Sequence, residues 1–192
     1  MKPKIIISGP GRSGTTSLVR ILTRMGEDTG YTPKNEDYRP HIRAGCEIAA
    51  GKVFKSKTIP EFRKKLNKLP YIIKSPDFCH QLRQLLEKKV MKVEHVIIPY
   101  RDAKEAAKSR MSHPDLYWFA DNELEQTNAN YVMIGMLIDT CLFFRIPYTI
   151  MKFPDHVKDW EYCWGKLHII FHSINKNPGK FKKVWHEINV RK

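Results

Sequence analysis

The stretch Lys4–Gly26, KIIISGPGRSGTTSLVRILTRMG, constrains this chain more than any other. Three consecutive isoleucines suit a strand covered on both faces, as at the centre of a parallel sheet. The Gly-Pro-Gly turn that follows ends the strand. Thr15–Met25 then sets Leu18, Ile21, Leu22 and Met25 on one face of a helix. A strand, a glycine-rich turn and a helix in that order make an anion cradle. The first N–H groups of the helix have no partner within it, and glycines let an oxyanion approach the backbone.

Strand and helix signals alternate along the rest of the chain. Tyr71–Lys74, Glu94–Tyr100 and Pro147–Met151 read as strands, and Lys4–Ser8 is the first. Phe78–Lys88, Asp102–Arg110, Glu123–Phe144 and Asp159–Ile174 read as helices, with shorter ones over Ile42–Ala50 and Thr58–Leu69 and a weak one in the basic tail. Thr58 stands as N-cap of its helix, with Pro60 in the first turn and Glu61 three residues after the cap. This alternation predicts an α/β fold: a parallel β-sheet flanked by helices on both faces. The length of 192 residues suits a single domain over 1–192. Ligands of such sheets bind beyond the carboxyl ends of the strands. The loops after Ser8, Lys74, Tyr100 and Met151 are therefore expected to open on one side. The apolar run Tyr131–Phe144 carries Asp139 and falls short of the ~20 residues of a membrane span, so it reads as a buried helix.

The turn itself compares with the nucleotide phosphate loop, G-x-x-x-x-G-K-[ST]. Gly9 and Gly14 fill the glycine positions and Thr16 the final hydroxyl, but Thr15 stands where the lysine belongs. The cation has moved three positions back, to Arg12, whose planar guanidinium suits two oxygens of an oxyanion at once. A loop so altered is suited to an anion other than a metal-bound triphosphate.

GRSGTT resembles the 5′-phosphosulfate loop of the sulfotransferases that use 3′-phosphoadenosine 5′-phosphosulfate (PAPS). In that family a basic residue precedes the glycine and hydroxyl residues follow it. The arginine variant is more like the tyrosylprotein and Golgi carbohydrate members. A second run, VIIPYRDAKEAAKSR, is similar to the family's 3′-phosphate motif, with Arg101 at the end of a strand and Ser109 eight positions later. Ala103 and Glu105 replace the family's usual proline and aspartate there. The resemblance implies a P-loop NTPase-like sheet that binds PAPS through Gly11, Arg12, Ser13, Gly14, Thr15, Thr16, Arg101 and Ser109. The product would be 3′,5′-ADP, and no metal is expected. Arg12 would stabilise the bridging oxygen in the transition state. Lys74, in YIIKSPDF, matches the lysine of the family's K-T-H or N-K-D-P segment, but Ser75 and Pro76 stand where the catalytic histidine would be. Glu47 is the first choice of general base, with Glu36, His41, Asp77 and His80 as rivals. The motif-level resemblance runs to about residue 110. Of the family's C-terminal R-K-G-x-x-G element only NPGKFKK, Asn177–Lys183, is a remnant.

Charge bounds the partner. A formal net charge of +14 points to an anionic donor or acceptor. The acceptor is read as a small molecule or glycan, shaped by the Gly26–Lys57 region and the His113–Glu125 loop, with Tyr117, Trp118 and Phe119 available to stack a ring. Seven basic residues between Lys52 and Lys68 could guide it. Cys46, Cys79, Cys141 and Cys163 lie far apart, which fits reduced thiols in a cytoplasm rather than zinc or a disulfide framework. His168 and His172 have a zinc-compatible spacing but read as part of a packed helix. Two other readings stay open at this level: a small-molecule kinase using Mg-ATP, and a non-catalytic basic domain that binds a nucleotide or nucleic acid.

Overall fold

The computed structural model describes residues 2–34, 64, 66–112 and 122–190. Its centre is a four-stranded sheet of β1 (Lys4–Ile7), β2 (Ile72–Lys74), β3 (Val93–Tyr100) and β4 (Tyr148–Lys152), in the order β2-β1-β3-β4. Every pairing is parallel: Ile6 stands against Ile73 and Val96, and Ile97 against Thr149. All four strands thus point the same way, and their carboxyl ends share one edge.

The helices among the described residues are α1 (Thr15–Met25), α2 (Phe78–Glu87), α3 (Ala103–Met111), α4 (Glu123–Phe143), α5 (Asp155–Lys158), α6 (Trp160–Leu167), α7 (His172–Lys176) and α8 (Pro178–Asn189). They form a layer on each face of the sheet. Ile5, Ile7, Ile72, Ile97 and Met151 pack on one side with Leu18, Ile21 and Leu22 of α1, Cys163 and Leu167 of α6, and Phe181, Val184 and Trp185 of α8. Ile6, Ile73, Val96 and Ile98 point the other way, onto Phe78 and Leu82 of α2 and Met133 and Leu137 of α4. The isoleucine run works because successive side chains leave a strand on opposite faces, and both faces are covered. Gly26, at φ 95°, ends α1 and donates its N–H to the Leu22 and Thr23 carbonyls.

The sequence-based boundaries match the described elements within a residue or two, with three corrections. The helix expected over Asp159–Ile174 is two, α6 and α7. Asp159 caps α6, and at its other end the His168 ring folds back on Trp164, stacked at 4.2 Å with Nδ1 against the Trp164 carbonyl. His168 thus ends α6 and His172 begins α7, so the two do not share one helix and their zinc-like spacing has no meaning. The tail helix is firm rather than weak: α8 runs for 12 residues and buries Phe181, Val184 and Trp185. The third correction concerns α4. Met133, Leu137 and Cys141 are buried, but Tyr131, Val132, Met136, Leu142 and Phe143 are exposed. The expected helix over Ile42–Ala50, and most of that over Thr58–Leu69, lie outside the described residues. No helix among the described residues is long and apolar enough to cross a membrane.

Candidate active site

The loop after β1 is held by close packing. Gly9 sits so near β3 that a Cβ there would lie 2.8 Å from the Pro99 carbonyl oxygen. Gly14 has φ 77°, and a Cβ there would lie 2.5 Å from His156 Nε2 and 3.0 Å from Phe153. Only glycine fits, for reasons of both conformation and space. Ser13 is fully buried, and its hydroxyl donates to the Pro10 carbonyl at 3.0 Å, closing the turn on itself. Arg12 takes a left-handed conformation, φ 70°, uncommon for a side-chain-bearing residue. That conformation leaves the Arg12 side chain exposed at the mouth of the loop.

The arginine–serine segment meets this loop directly. Arg12 donates from Nε to the Ser109 hydroxyl at 3.2 Å, across 97 positions of sequence. Arg101 donates from Nη1 to the Arg12 carbonyl at 3.3 Å and lies over the Phe153 ring, 5.0 Å from its centroid. Asp102 caps α3 by accepting from the Glu105 N–H, which fixes where Ser109 stands two turns on. The order of the two motifs in sequence is thus matched by contact in space.

Lys74 ends β2, level with Ile7 in the sheet register, and is 5% exposed. It is not the solvated strand-end lysine that its position alone would suggest. Behind it Ser75 donates its N–H to the Ile7 carbonyl, and the Ser8 hydroxyl contacts Cys79 Sγ at 3.4 Å. Burial pushes the Cys79 thiol up to about 11, so it stays protonated near neutrality and is no nucleophile there. Among the rivals for general base, Asp77 and His80 begin α2 at the same sheet edge. Glu47, Glu36, His41 and the aromatic run Tyr117–Phe119 lie outside the described residues, as do most of the proposed acceptor region and all but Lys64 and Lys68 of the Lys52–Lys68 basic residues. The Asn177–Lys183 remnant starts α8, yet it is the other end of that helix, Asn189, that accepts from Ser17 in the first turn of α1.

Sequence reasoning missed three supports of the site. His156 is fully buried, with Nδ1 2.9 Å from the Lys152 carbonyl and Nε2 3.5 Å from the Gly14 carbonyl. Carbonyls only accept, so the single proton of a neutral ring belongs on Nδ1, at the shorter contact. Burial lowers the His156 pKa below its ordinary value, against smaller raising effects from these two carbonyls and Asp155. The Trp185 indole donates to the His156 carbonyl at 2.9 Å, tying α8 to the loop floor. Phe153, beside His156, is the ring under Arg101. Arg110 is the third: it is buried, donates to Gln126 at 2.7 Å and Asn130 at 3.1 Å, and its Nη2 would lie 3.7 Å from a Cβ on Gly11. Burial and the nearby Arg12 charge lower its pKa. The loop after Met151 was expected at this edge, but nothing in KFPDH marks which residue turns inward. Arg110, next to Ser109, reads from sequence as one more surface cation.

Comparison with known proteins adds a family. A model of the sulfotransferase domain matches residues 2–174, which extends well past the motifs near residue 110 to include β4 and α6. Among solved structures, the sulfotransferase domain from the Synechococcus PCC 7002 olefin synthase is similar at 15% identity, over 91% of this chain and 73% of that one, with a TM-score of 0.47. No curated protein sequence matches the chain.

Proposed function

The chain belongs to the sulfotransferase domain family, and we propose that it moves a sulfuryl group from PAPS to a hydroxyl or amine acceptor, with 3′,5′-ADP as the product, through one domain over residues 1–192. One observation carries this reading. The glycine loop and the arginine–serine segment, far apart in sequence, bond to each other through Arg12, Ser109 and Arg101. A donor with anionic groups at both its 5′ and 3′ ends is the ligand that two adjoining cationic sites would grip together.

In-line sulfuryl transfer needs charge stabilised on the leaving oxygen and a proton removed from the acceptor. Backbone N–H groups of Ser13–Thr16 and the hydroxyls of Thr15 and Thr16 receive the 5′ phosphosulfate at the start of α1. Arg12 donates to the bridging oxygen as negative charge develops there. Its bond to Ser109 must be exchanged for this, so Arg12 and Ser109 are reset as a pair when the donor enters. Arg101 and Ser109 take the 3′-phosphate. Lys74, at the same sheet edge, holds a sulfonate oxygen. Glu47 is assigned as general base, and Glu47→Gln should abolish turnover while leaving 3′,5′-ADP binding intact; full activity would pass the role to one of its rivals, Glu36, His41, Asp77 or His80. The acceptor is a small molecule or glycan, and the net charge of +14 favours an anionic one. Free, buried thiols at Cys79, Cys141 and Cys163 support a reducing, cytoplasmic setting.

A titration tests the reading. The protein should bind 3′,5′-ADP without metal more tightly than ATP with Mg²⁺ or a random RNA oligomer at moderate salt. Metal-dependent preference for ATP would make it a kinase. Tight RNA binding with a steep salt dependence would make it a nucleic-acid-binding domain.

A further inference from the structure

Arg101 stands just before helix α3 and Ser109 lies in its last turns, so whatever fixes the rotation of α3 fixes where both side chains point. The buried positions of α3 are Ala103, Ala106, Ala107 and Arg110. They form one stripe, at the i, i+3, i+4, i+7 spacing of a single helix face. Three of the four are alanines. A methyl group buries little area and offers a neighbouring helix no shape to lock onto, so this face resists sliding and turning only weakly through apolar packing.

The fourth position supplies what the alanines lack. Arg110 is 2% exposed, and its Nη1 donates to Gln126 Oε1 at 2.7 Å and to Asn130 Oδ1 at 3.1 Å. Both acceptors are fully buried and lie one turn apart on α4. Asn130 makes a further bond: its Nδ2 donates to the Ala103 carbonyl at 2.9 Å. One amide therefore accepts from the last turns of α3 and donates to the first. Arginine only donates and a carbonyl only accepts, so the amide has one orientation here. A slip of α3 by one residue would swing the helix by about 100° and break both bonds. The same swing would carry Ser109 away from Arg12, which donates to it at 3.2 Å.

We propose that Asn130 is a positioning residue for the donor: by tying the two ends of α3 together through Ala103 and Arg110, it holds Arg101 and Ser109 at the angle from which both reach the 3′-phosphate. This rests on the reading of Arg101 and Ser109 as the 3′-phosphate site. Gln126 supports Arg110 at the same buried junction but does not make the bond to Ala103, so it serves as the internal control.

Calorimetric affinities for 3′,5′-ADP and 5′-AMP, measured with the melting temperature of each variant, test this. The wild-type chain should prefer 3′,5′-ADP. Asn130→Leu is similar in size and makes neither bond, and it should narrow that preference at least ~5-fold, as displaced contacts do, with 5′-AMP affinity little changed. Gln126→Met also removes a buried bond to Arg110 and should also melt lower, yet its preference should stay within about twofold of wild type because the bridge remains. If Asn130→Leu does not fold, Asn130→Ser takes its place: one short hydroxyl cannot span both partners, and the preference should narrow in the same direction. A preference that survives the Asn130 variant, or that narrows equally in Gln126→Met in step with melting temperature, would overturn the proposal and leave Asn130 a structural residue. A wild-type chain with no preference would overturn the 3′-phosphate reading itself, and this inference with it.

Discussion

The glycine loop and the arginine–serine segment reach one site by different means. Gly9 to Thr16 is fixed by its backbone: two glycines stand where no side chain fits, a buried serine closes the turn, and His156 and Phe153 fill the floor. Arg101 to Ser109 is fixed by an ordinary capped helix that presents two side chains, and Arg101 is steadied by the Phe153 ring and the Arg12 carbonyl. The loop is therefore over-determined and intolerant. The segment is adaptable, and its losses should be local. Arg12 crosses between the two, since its backbone belongs to the loop and its guanidinium bonds to Ser109.

Gly14→Ala is the harshest test of that contrast. A methyl group at φ 77° would also overlap His156, so we expect at least ~3 kcal/mol of lost stability and no measurable donor binding. A well-folded variant that still binds 3′,5′-ADP would show that the loop is as adaptable as the segment. Arg12→Ala should separate shape from chemistry. Its backbone role does not need the side chain, so folding should survive, and turnover should fall roughly 100-fold or more while 3′,5′-ADP affinity falls less than tenfold. Equal losses in both would deny it a role in the transition state.

The same contrast explains what was legible in the sequence. A strand, two glycines and a helix leave a pattern because backbone geometry restricts residue type, and β1, its loop and α1 could be placed almost to the residue. Arg101 and Ser109 were found by likeness to a family motif rather than by geometry, since an arginine before an aspartate cap is common. His156, Phe153 and Arg110 left no signal. They matter because the fold turns them inward, and that depends on packing between elements 16 to 142 positions apart. The expectation of a fully buried Tyr131–Phe144 helix failed for a different reason: an apolar run does not say which of its faces meets the sheet, and here Met133, Leu137 and Cys141 do while Tyr131, Val132 and Met136 do not.

Acidity gives the mildest test. The segment contains no histidine, whereas the loop rests on His156, whose pKa is lowered by burial. Above about pH 6.5 the ring is neutral in both the folded and unfolded chain and adds no pH dependence. Below that the unfolded chain takes up the proton first, so stability should decline as pH falls from 6.5 toward the lowered folded value. His95, also lowered by burial, adds to the decline. The decline should be shallower in His156→Gln, read as melting temperature against pH, where each kcal/mol is worth about 2–4 °C in a chain of this size. An unchanged slope would remove His156 from the account.

The most direct measurement is the worth of the 3′-phosphate. Calorimetric affinities of 3′,5′-ADP and 5′-AMP should differ by about 30–100-fold in the wild-type chain, as for one or two charge-assisted contacts. In Arg101→Ala that gap should nearly vanish while 5′-AMP binding is little changed. Equal affinities for the two nucleotides in the wild type, or a gap that survives Arg101→Ala, would contradict the claim that the two sites grip one donor.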